Sequence, residues 1–349
     1  MEFYRLCGIR KPEFMGWTQV ELDKKLYARG WSPLKDTEFS LSEFGGELDR
    51  YLEAYENIKQ TVADVEKIIP ANRKDAFFSH IKYPVFSAAA MSTKMLEAQR
   101  ARAIASGSYD IRRWEWERDH ELMVACAKSM NAYQEIRRLT DYYNNEMAGG
   151  KWKHSMVYNP RDLYVFYAPL LPMAPTDAEI EKFSSGVNPK SKSLTDIKND
   201  SFIAANACNF NKATAGATPV QSLGHSMNAV SLPKGGSLTY EFESPWEGEA
   251  VLRTAVITTQ PNDKGDIRFS VSIDGGQPQI CSYKEKFRSD AWKENVMRGQ
   301  AIRNTTHTLA KGKHTLVITA LDNHVVVDQW MLDFKPQRSF YLFPLDASY

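Results

Sequence analysis

The chain has 349 residues, and its 44 lysines and arginines nearly balance 43 aspartates and glutamates, for a formal net charge of +1. This balance argues against binding to nucleic acid or to an acidic membrane surface, since either needs a clear basic excess. Hydrophobic residues make up 43% and charged residues 25%, the mix of a globular protein rather than a disordered or collagen-like one. The length predicts two domains of roughly 150 residues each, or three smaller ones.

Two long amphipathic helices are predicted in the first third of the chain. Apolar residues recur at spacings of three and four over residues 47–69, and Pro70 follows the end of this pattern. A second helical stretch is predicted over residues 73–105. Pro84 lies inside it and should kink or split the helix, because proline lacks the amide hydrogen and crowds the preceding turn.

A third helix is predicted from Asp110, a plausible N-cap, to Met147, with the pair Gly149-Gly150 as its stop. Long helices joined by short turns pack most simply as an antiparallel bundle. Residues 172–200 show no periodicity and are rich in proline and serine, which predicts a linker or a meandering connection.

Beyond residue 201 the hydrophobic period changes to two. Leu238, Tyr240 and Phe242 alternate with polar residues, and further strands are separated by Gly, Pro and Asn turns. The predicted fold class is therefore a multidomain α + β chain, an N-terminal antiparallel helical bundle followed by a jelly-roll-like β-sandwich. The expected units are an entry segment, the bundle, the connection, the sandwich and a tail: residues 1–46, 47–171, 172–200, 201–336 and 337–349.

No catalytic centre, metal site or cofactor motif is visible in the sequence. There is no Gly-rich phosphate loop, no HExxH and no GxSxG, the histidines show no ligand spacing, and the four cysteines are scattered. His225 could act as a base, but it is more often a turn residue, and no nucleophile accompanies it. We therefore predict no catalytic residue, no metal and no cofactor.

Aromatic rings outside the helical stripes are candidates for stacking on sugar faces. A ring that plugs a domain junction is at least as common, because most aromatic side chains serve packing. The carbohydrate-binding candidates, with one neighbouring imidazole, are Trp17, Trp152, His154, Tyr158 and Trp246.

Three segments resemble the C-terminal half of glycoside hydrolase family 115, the xylan α-1,2-glucuronidases. The first runs from Phe3 to Trp17 and includes Ile9-Arg-Lys-Pro; the most specific is Tyr142-Tyr-Asn-Asn-Glu-Met-Ala-Gly-Gly-Lys-Trp152. The third joins Gly224-His-Ser226 with Val327-Asp328. The resemblance covers almost the whole chain, with one departure: Tyr164-Val-Phe-Tyr167 stands where the family tends to place a tryptophan.

The resemblance implies that the catalytic barrel lies upstream of the first segment, so Met1 looks like a start inside a longer ancestral protein. The chain would then be a noncatalytic scaffold that borders the cleft. The partners that the resemblance implies are a plant polysaccharide such as glucuronoxylan, the missing catalytic domain or a second copy in a homodimer. The alternative is a stand-alone carbohydrate-binding protein, and hydrolysis by this chain alone is the least favoured of the three hypotheses. The resemblance implies an exported or periplasmic parent, whereas the N-terminus has no signal peptide pattern, so localisation stays open.

Overall fold

The computed structural model describes residues 1–11, 36–106, 120–186, 192–197, 200–259 and 265–348. The first half of the chain is helical and the second half forms two antiparallel sheets, so the predicted α + β class with a β-sandwich is confirmed. None of the helices in these segments is both long enough and apolar enough to cross a bilayer.

The helical half is built mainly from three long helices. The packing of α4 against both α2 and α5 buries apolar and small side chains, among them Leu48, Leu96 and Ala125. The helices in chain order are α1 (Glu2–Ile9), α2 (Glu47–Ile68), α3 (Lys74–Phe77), α4 (Tyr83–Ser106), α5 (His120–Asn145) and α6 (Asp177–Phe183).

The disruption predicted at Pro84 takes the form of a π turn rather than a break. A turn of π-helix over Phe78–Lys82 joins α3 to α4, and Pro84 then occupies the first turn of α4. There its missing amide hydrogen costs less than it would in a helix interior. The start predicted at Asp110 lies outside the described residues, and the expected stop is a 3-10 turn, Met147–Gly150, with Gly149 and Gly150 at positive φ.

The stretch from residue 172 to 200 contains a helix that periodicity did not indicate. Helix α6 begins with a capping box: Thr176 Oγ1 accepts the Glu179 N–H at 3.3 Å, and the Glu179 carboxylate accepts the Thr176 N–H at 2.7 Å. With only seven residues, α6 is too short to show a helical repeat, although the pattern Thr-x-x-Glu is a known start signal.

The sandwich consists of two antiparallel sheets that enclose one core. The first has the order β3-β4-β11-β6-β9, with β1 also paired to β11, and the second has the order β2-β5-β10-β7-β8. The strands are β1 (Phe202–Asn206), β2 (Lys212–Ala213), β3 (Thr218–Gln221), β4 (Asn228–Leu232), β5 (Ser237–Ser244), β6 (Gly248–Val256), β7 (Arg268–Ile273), β8 (Gln279–Ser282), β9 (Ala301–Leu309), β10 (Gly312–Ala320) and β11 (Val325–Asp333), and helix α7 (Asp290–Arg298) precedes β9.

Strand β11 is buried at all nine positions, because the first sheet is covered on both faces. Its inner residues, such as Trp330, belong to the sandwich core. On the outer face Met331 packs with Phe44 and Phe343, which come from the segment before α2 and from the C-terminal tail. The helical half and the sandwich therefore share an apolar contact surface.

Candidate functional site

Three of the predicted sugar-binding residues lie in the loop that follows α5, which we call the Trp152 loop (residues 147–158). The side chain of Asn144 fixes this loop, since it donates to the Met156 carbonyl at 2.9 Å and accepts the Met156 N–H at 3.0 Å. Trp152 is 42% exposed, with the Lys151 ammonium 5.0 Å from its ring centre, and His154 is exposed at positive φ.

Tyr158, at the end of the same loop, is less available than Trp152. The guanidinium of Arg137 lies 4.2 Å from its ring centre, and its hydroxyl donates to the carboxylate of Asp141 on α5. Tyr158 is also half-buried, whereas Trp152 is exposed, so Trp152 is the more exposed ring of this loop.

The remaining two candidates are separate from this loop. Trp246 lies in the turn between β5 and β6, half-buried, with its ring 5.7 Å from that of Phe334. Trp17 lies outside the residues that the structure describes. The structure therefore groups Trp152, His154 and Tyr158, and it places Trp246 apart from them, on the sandwich.

A groove on the helical half, which we call the bundle groove, was not predicted. It encloses about 690 Å³ between α2, the π turn with α4, and α5. The rings of Phe78, Phe86 and Tyr142 line it, together with polar and charged side chains: Lys59, Glu66, Lys74, Lys82, Asn131, Glu135 and Arg138. Tyr142 is 37% exposed and also begins the sequence string that ends at Trp152.

The charges of the bundle groove are arranged around Phe86. The ammonium groups of Lys59 and Lys82 lie 5.3 and 5.5 Å from its ring centre. Lys82 is paired with Glu66 at 2.7 Å, and Lys59 lies 3.6 Å from Glu135. Rings flanked by hydrogen-bonding side chains suit a polyhydroxylated ligand, and the i, i+4 spacing of Lys82 and Phe86 is the signal that could have marked this site.

The Gly224-His-Ser226 motif has a structural role that involves Asp328. The buried Asp328 carboxylate accepts four hydrogen bonds. Two come from the backbone N–H groups of His225 and Ser226, at 2.7 and 3.2 Å, and two from the Ser226 hydroxyl and the Gln300 side-chain amide. Burial raises the pKa of Asp328, while these donors favour its charged form. A Cβ on Gly224 would lie 2.3 Å from Asp328 Oδ1, so only glycine fits there.

His225 does not act as a base in this setting. Its Nε2 lies 2.7 Å from the carbonyl oxygen of Arg298, the last residue of α7, and the side chain is buried. Burial lowers the pKa of His225 to about 3, so the ring is neutral and donates to the end of the helix. Across the described segments, no group of three His, Cys, Asp or Glu side chains could hold a metal ion.

Buried polar contacts join the two halves of the chain. The Glu47 carboxylate, at the start of α2, accepts the N–H groups of Ser40, Tyr341 and Leu342. Burial raises the pKa of Glu47 to about 7 against the effect of these donors. Nearby, Arg338 of the tail pairs with three carboxylates: Glu43 at 2.6 Å, Asp200 at 2.8 Å and Asp333 at 3.2 Å.

Comparison with known proteins identifies relatives of this arrangement. Residues 198–346 match the glycosyl hydrolase family 115 C-terminal domain. Over 94% of its length the chain is similar to BtGH115A, a family GH115 4-O-methyl-α-glucuronidase with specificity for decorated arabinogalactans, at 34% identity and a TM-score of 0.72. The chain spans 37% of that protein's length.

Two carbohydrate-binding modules are far less similar. The C-terminal CBM6 of LamC from Zobellia galactanivorans aligns with 38% of this chain and 98% of its own, at 10% identity and a TM-score of 0.30. A family 35 module from Clostridium thermocellum covers the same shares, at 13% identity and a TM-score of 0.31. No curated protein sequence matches the chain.

Proposed function

This chain carries the C-terminal domain of glycosyl hydrolase family 115, and on that premise we propose that it is the noncatalytic C-terminal portion of an α-glucuronidase. The observation that carries the proposal is the similarity to a family 115 enzyme over 94% of this chain but only 37% of the enzyme. The substrate class is a plant polysaccharide with uronic acid branches, either glucuronoxylan or a decorated arabinogalactan.

The role we propose for this portion is that of a rigid support for a catalytic barrel or a second copy of the enzyme. The contacts of Glu47 and Arg338 support this role, because they tie helix α2, strand β11 and the C-terminal tail together through buried hydrogen bonds and ion pairs. Breaking such buried pairs costs several kcal/mol, so the two halves should move as one body. The exposed Trp152 would then border the cleft.

A release assay tests the noncatalytic role. The purified chain is incubated with glucuronoxylan and with uronate-decorated arabinogalactan, beside a complete family 115 enzyme as positive control. We expect no uronic acid above the level of the buffer, while the complete enzyme releases it from at least one substrate. Release that rises with chain concentration and follows the chain through two chromatographic steps would overturn the proposal.

The bundle groove favours a second candidate function, binding of a glycan without hydrolysis. Phe86 and Tyr142 supply rings of the kind that stack on sugars, and the charged side chains around them supply hydrogen bonds. Affinity electrophoresis in glucuronoxylan gels tests this function. Because a ring contact contributes on the order of 1 kcal/mol, Phe86→Ala or Tyr142→Ala should weaken retardation about fivefold.

A matched control separates this effect from a general loss of exposed rings. Phe287 is 70% exposed on the sandwich and does not line the groove, so Phe287→Ala should bind like the unmodified chain. Equal retardation of all three variants, or none for the unmodified chain, would remove the groove as a glycan site. The same series with Trp152→Ala tests the Trp152 loop.

A further inference from the structure

A second, smaller cavity lies where the helical half meets the sandwich, and we call it the junction pocket. It has a volume of about 230 Å³. Its wall contains three arginines: Arg10 directly after α1, Arg298 at the end of α7 and Arg303 on β9. Gln300 and Tyr341 lie between them in the same wall.

The Arg298 guanidinium forms no ion pair within 4 Å in the part of the chain that the structure describes, and the carboxylates of Glu47 and Glu38 stabilise its charge from farther away. Its Nη2 donates to the carbonyl oxygens of Phe340, at 3.2 Å, and Tyr341, and its guanidinium lies 4.4 Å from the Tyr341 ring centre. Its Nε is shielded from solvent and has no hydrogen-bond partner among the residues that the structure describes. A cation held this way is stabilised by an anion, because carbonyl dipoles alone do not replace its hydration.

The other two arginines are partly neutralised. Arg10 is only 2% exposed and pairs with Glu38 at 3.2 Å, yet its Nε also has no hydrogen-bond partner within the described segments. Arg303 pairs with Glu285 at 2.6 Å. The lining acids are Glu38 and Glu294, and Glu285 neutralises Arg303 from outside the lining, so Arg298 is the lining arginine that keeps no ion pair among the described residues.

The pocket also holds an acceptor without a donor. Gln300 donates through Nε2 to Asp328 and, at 3.2 Å, to Gln329, and these bonds fix which side of its amide carries the nitrogen. Among the described residues its buried Oε1 has no hydrogen-bond partner. A buried polar atom without a partner costs about 1–3 kcal/mol, and a hydroxyl donor from a bound ligand would remove that cost. The lining therefore favours a ligand that carries both an anionic group and a hydroxyl group.

We propose that the junction pocket binds the carboxylate of a monosaccharide-sized sugar acid, with Arg298 as the principal partner of the carboxylate. The planar guanidinium matches a carboxylate. A ligand hydroxyl then donates toward Gln300. The volume is below the roughly 300 Å³ at which pockets for drug-sized ligands begin, which suits a single sugar ring. That the acid is a uronate rests on the proposed function, whereas the anion site does not.

Titration calorimetry with three probes tests the pocket: glucuronate, glucose and acetate. We expect saturable binding of glucuronate, with glucose and acetate each at least tenfold weaker, because each lacks one of the two groups. Arg298→Gln should weaken glucuronate binding at least tenfold. Glu38→Gln should strengthen it severalfold, since it frees Arg10 from its partner.

The control is Lys67→Gln, which removes one positive charge from a side chain that is 72% exposed and outside the pocket. It should leave the affinity unchanged. If Arg298→Gln does not fold, Glu38→Gln still decides, because the Glu38 side chain is 40% exposed and glutamine keeps its shape. Three results would overturn the proposed anion site: no binding of glucuronate, binding of glucose or acetate as tight as that of glucuronate, or a glucuronate affinity that Glu38→Gln does not change. The release assay is unaffected by that outcome and judges the noncatalytic role separately.

Discussion

Glu47 and Tyr341 lie 294 positions apart in the sequence, and the Glu47 carboxylate accepts the Tyr341 backbone N–H at 2.8 Å. The same carboxylate accepts the N–H of Leu342 at 2.8 Å, so one side chain at the start of α2 holds the C-terminal tail. The tail in turn contributes Phe343 to the apolar cluster against β11. The end of the chain is thus a structural part of the junction.

The stability of the protein should fall between pH 4.5 and pH 7 through Glu47. Burial raises its folded-state pKa from 4.5 to about 7, so in this window the folded chain holds a proton that the unfolded chain has released. The contribution is complete below pH 4.5 and amounts to about 3 kcal/mol, because each pKa unit is worth roughly 1.4 kcal/mol.

Urea unfolding at pH 5 and pH 8 measures this contribution of Glu47 to the free energy of unfolding. Because His225 acts in the opposite sense over this range, the comparison is between variants: Glu47→Gln should lower the stability at pH 5 relative to pH 8 by about 3 kcal/mol compared with the unmodified chain, whereas Glu56→Gln, at a side chain that is 58% exposed, should leave the pH difference unchanged. An unchanged pH difference in Glu47→Gln would show that Glu47 is not protonated in the folded chain.

His225 should produce the opposite trend at lower pH. Its folded-state pKa is lowered from 6.5 to about 3, so between these values the unfolded chain binds a proton at His225 that the folded chain does not bind. Stability is therefore lost as pH falls, by about 2 kcal/mol at pH 5. We expect His225→Asn to lose less stability than the unmodified chain between pH 7 and pH 5 in urea unfolding. A variant with an unchanged acid response would contradict this assignment.

The Gly224 contact predicts a large difference between two glycines with similar backbone angles. Gly224 has φ +79° and its added Cβ meets Asp328, while Gly235 has φ +80° and its added Cβ meets nothing within 4 Å. Gly235→Ala should cost only the left-handed backbone penalty of about 1 kcal/mol. Gly224→Ala should cost on the order of 3 kcal/mol or more, because it also disrupts the buried Asp328 network. Chemical denaturation measures the free energy of unfolding of the two variants. Equal losses of stability would contradict the contact between position 224 and Asp328.

Much of the fold could be predicted from local patterns. The helix predicted over residues 47–69 is observed as Glu47–Ile68, and the stretch over 73–105 as Lys74 to Ser106 with its π turn. Both carry an apolar repeat over many turns, which is the most reliable signal in a sequence. The alternation over Leu238 to Phe242 likewise lies within β5.

The sites could not be predicted in the same way, because they depend on packing between distant segments. The bundle groove combines Lys59 of α2, Phe86 of α4 and Tyr142 of α5, and no local pattern in the sequence indicates that these three meet. The junction pocket combines Arg10 with Arg298, which most of the chain separates in sequence. Periodicity assigns such residues to a face of a helix or strand, but only the tertiary contacts bring the faces together.

The size of the native polypeptide in its source cells tests the central claim most directly. An antibody raised against this chain of 39.7 kDa would be used on a blot of a freshly denatured cell and medium extract, with the purified chain as size marker. If the chain is the noncatalytic portion of an α-glucuronidase, the native band lies well above the marker. A single native band at 39.7 kDa would contradict that account.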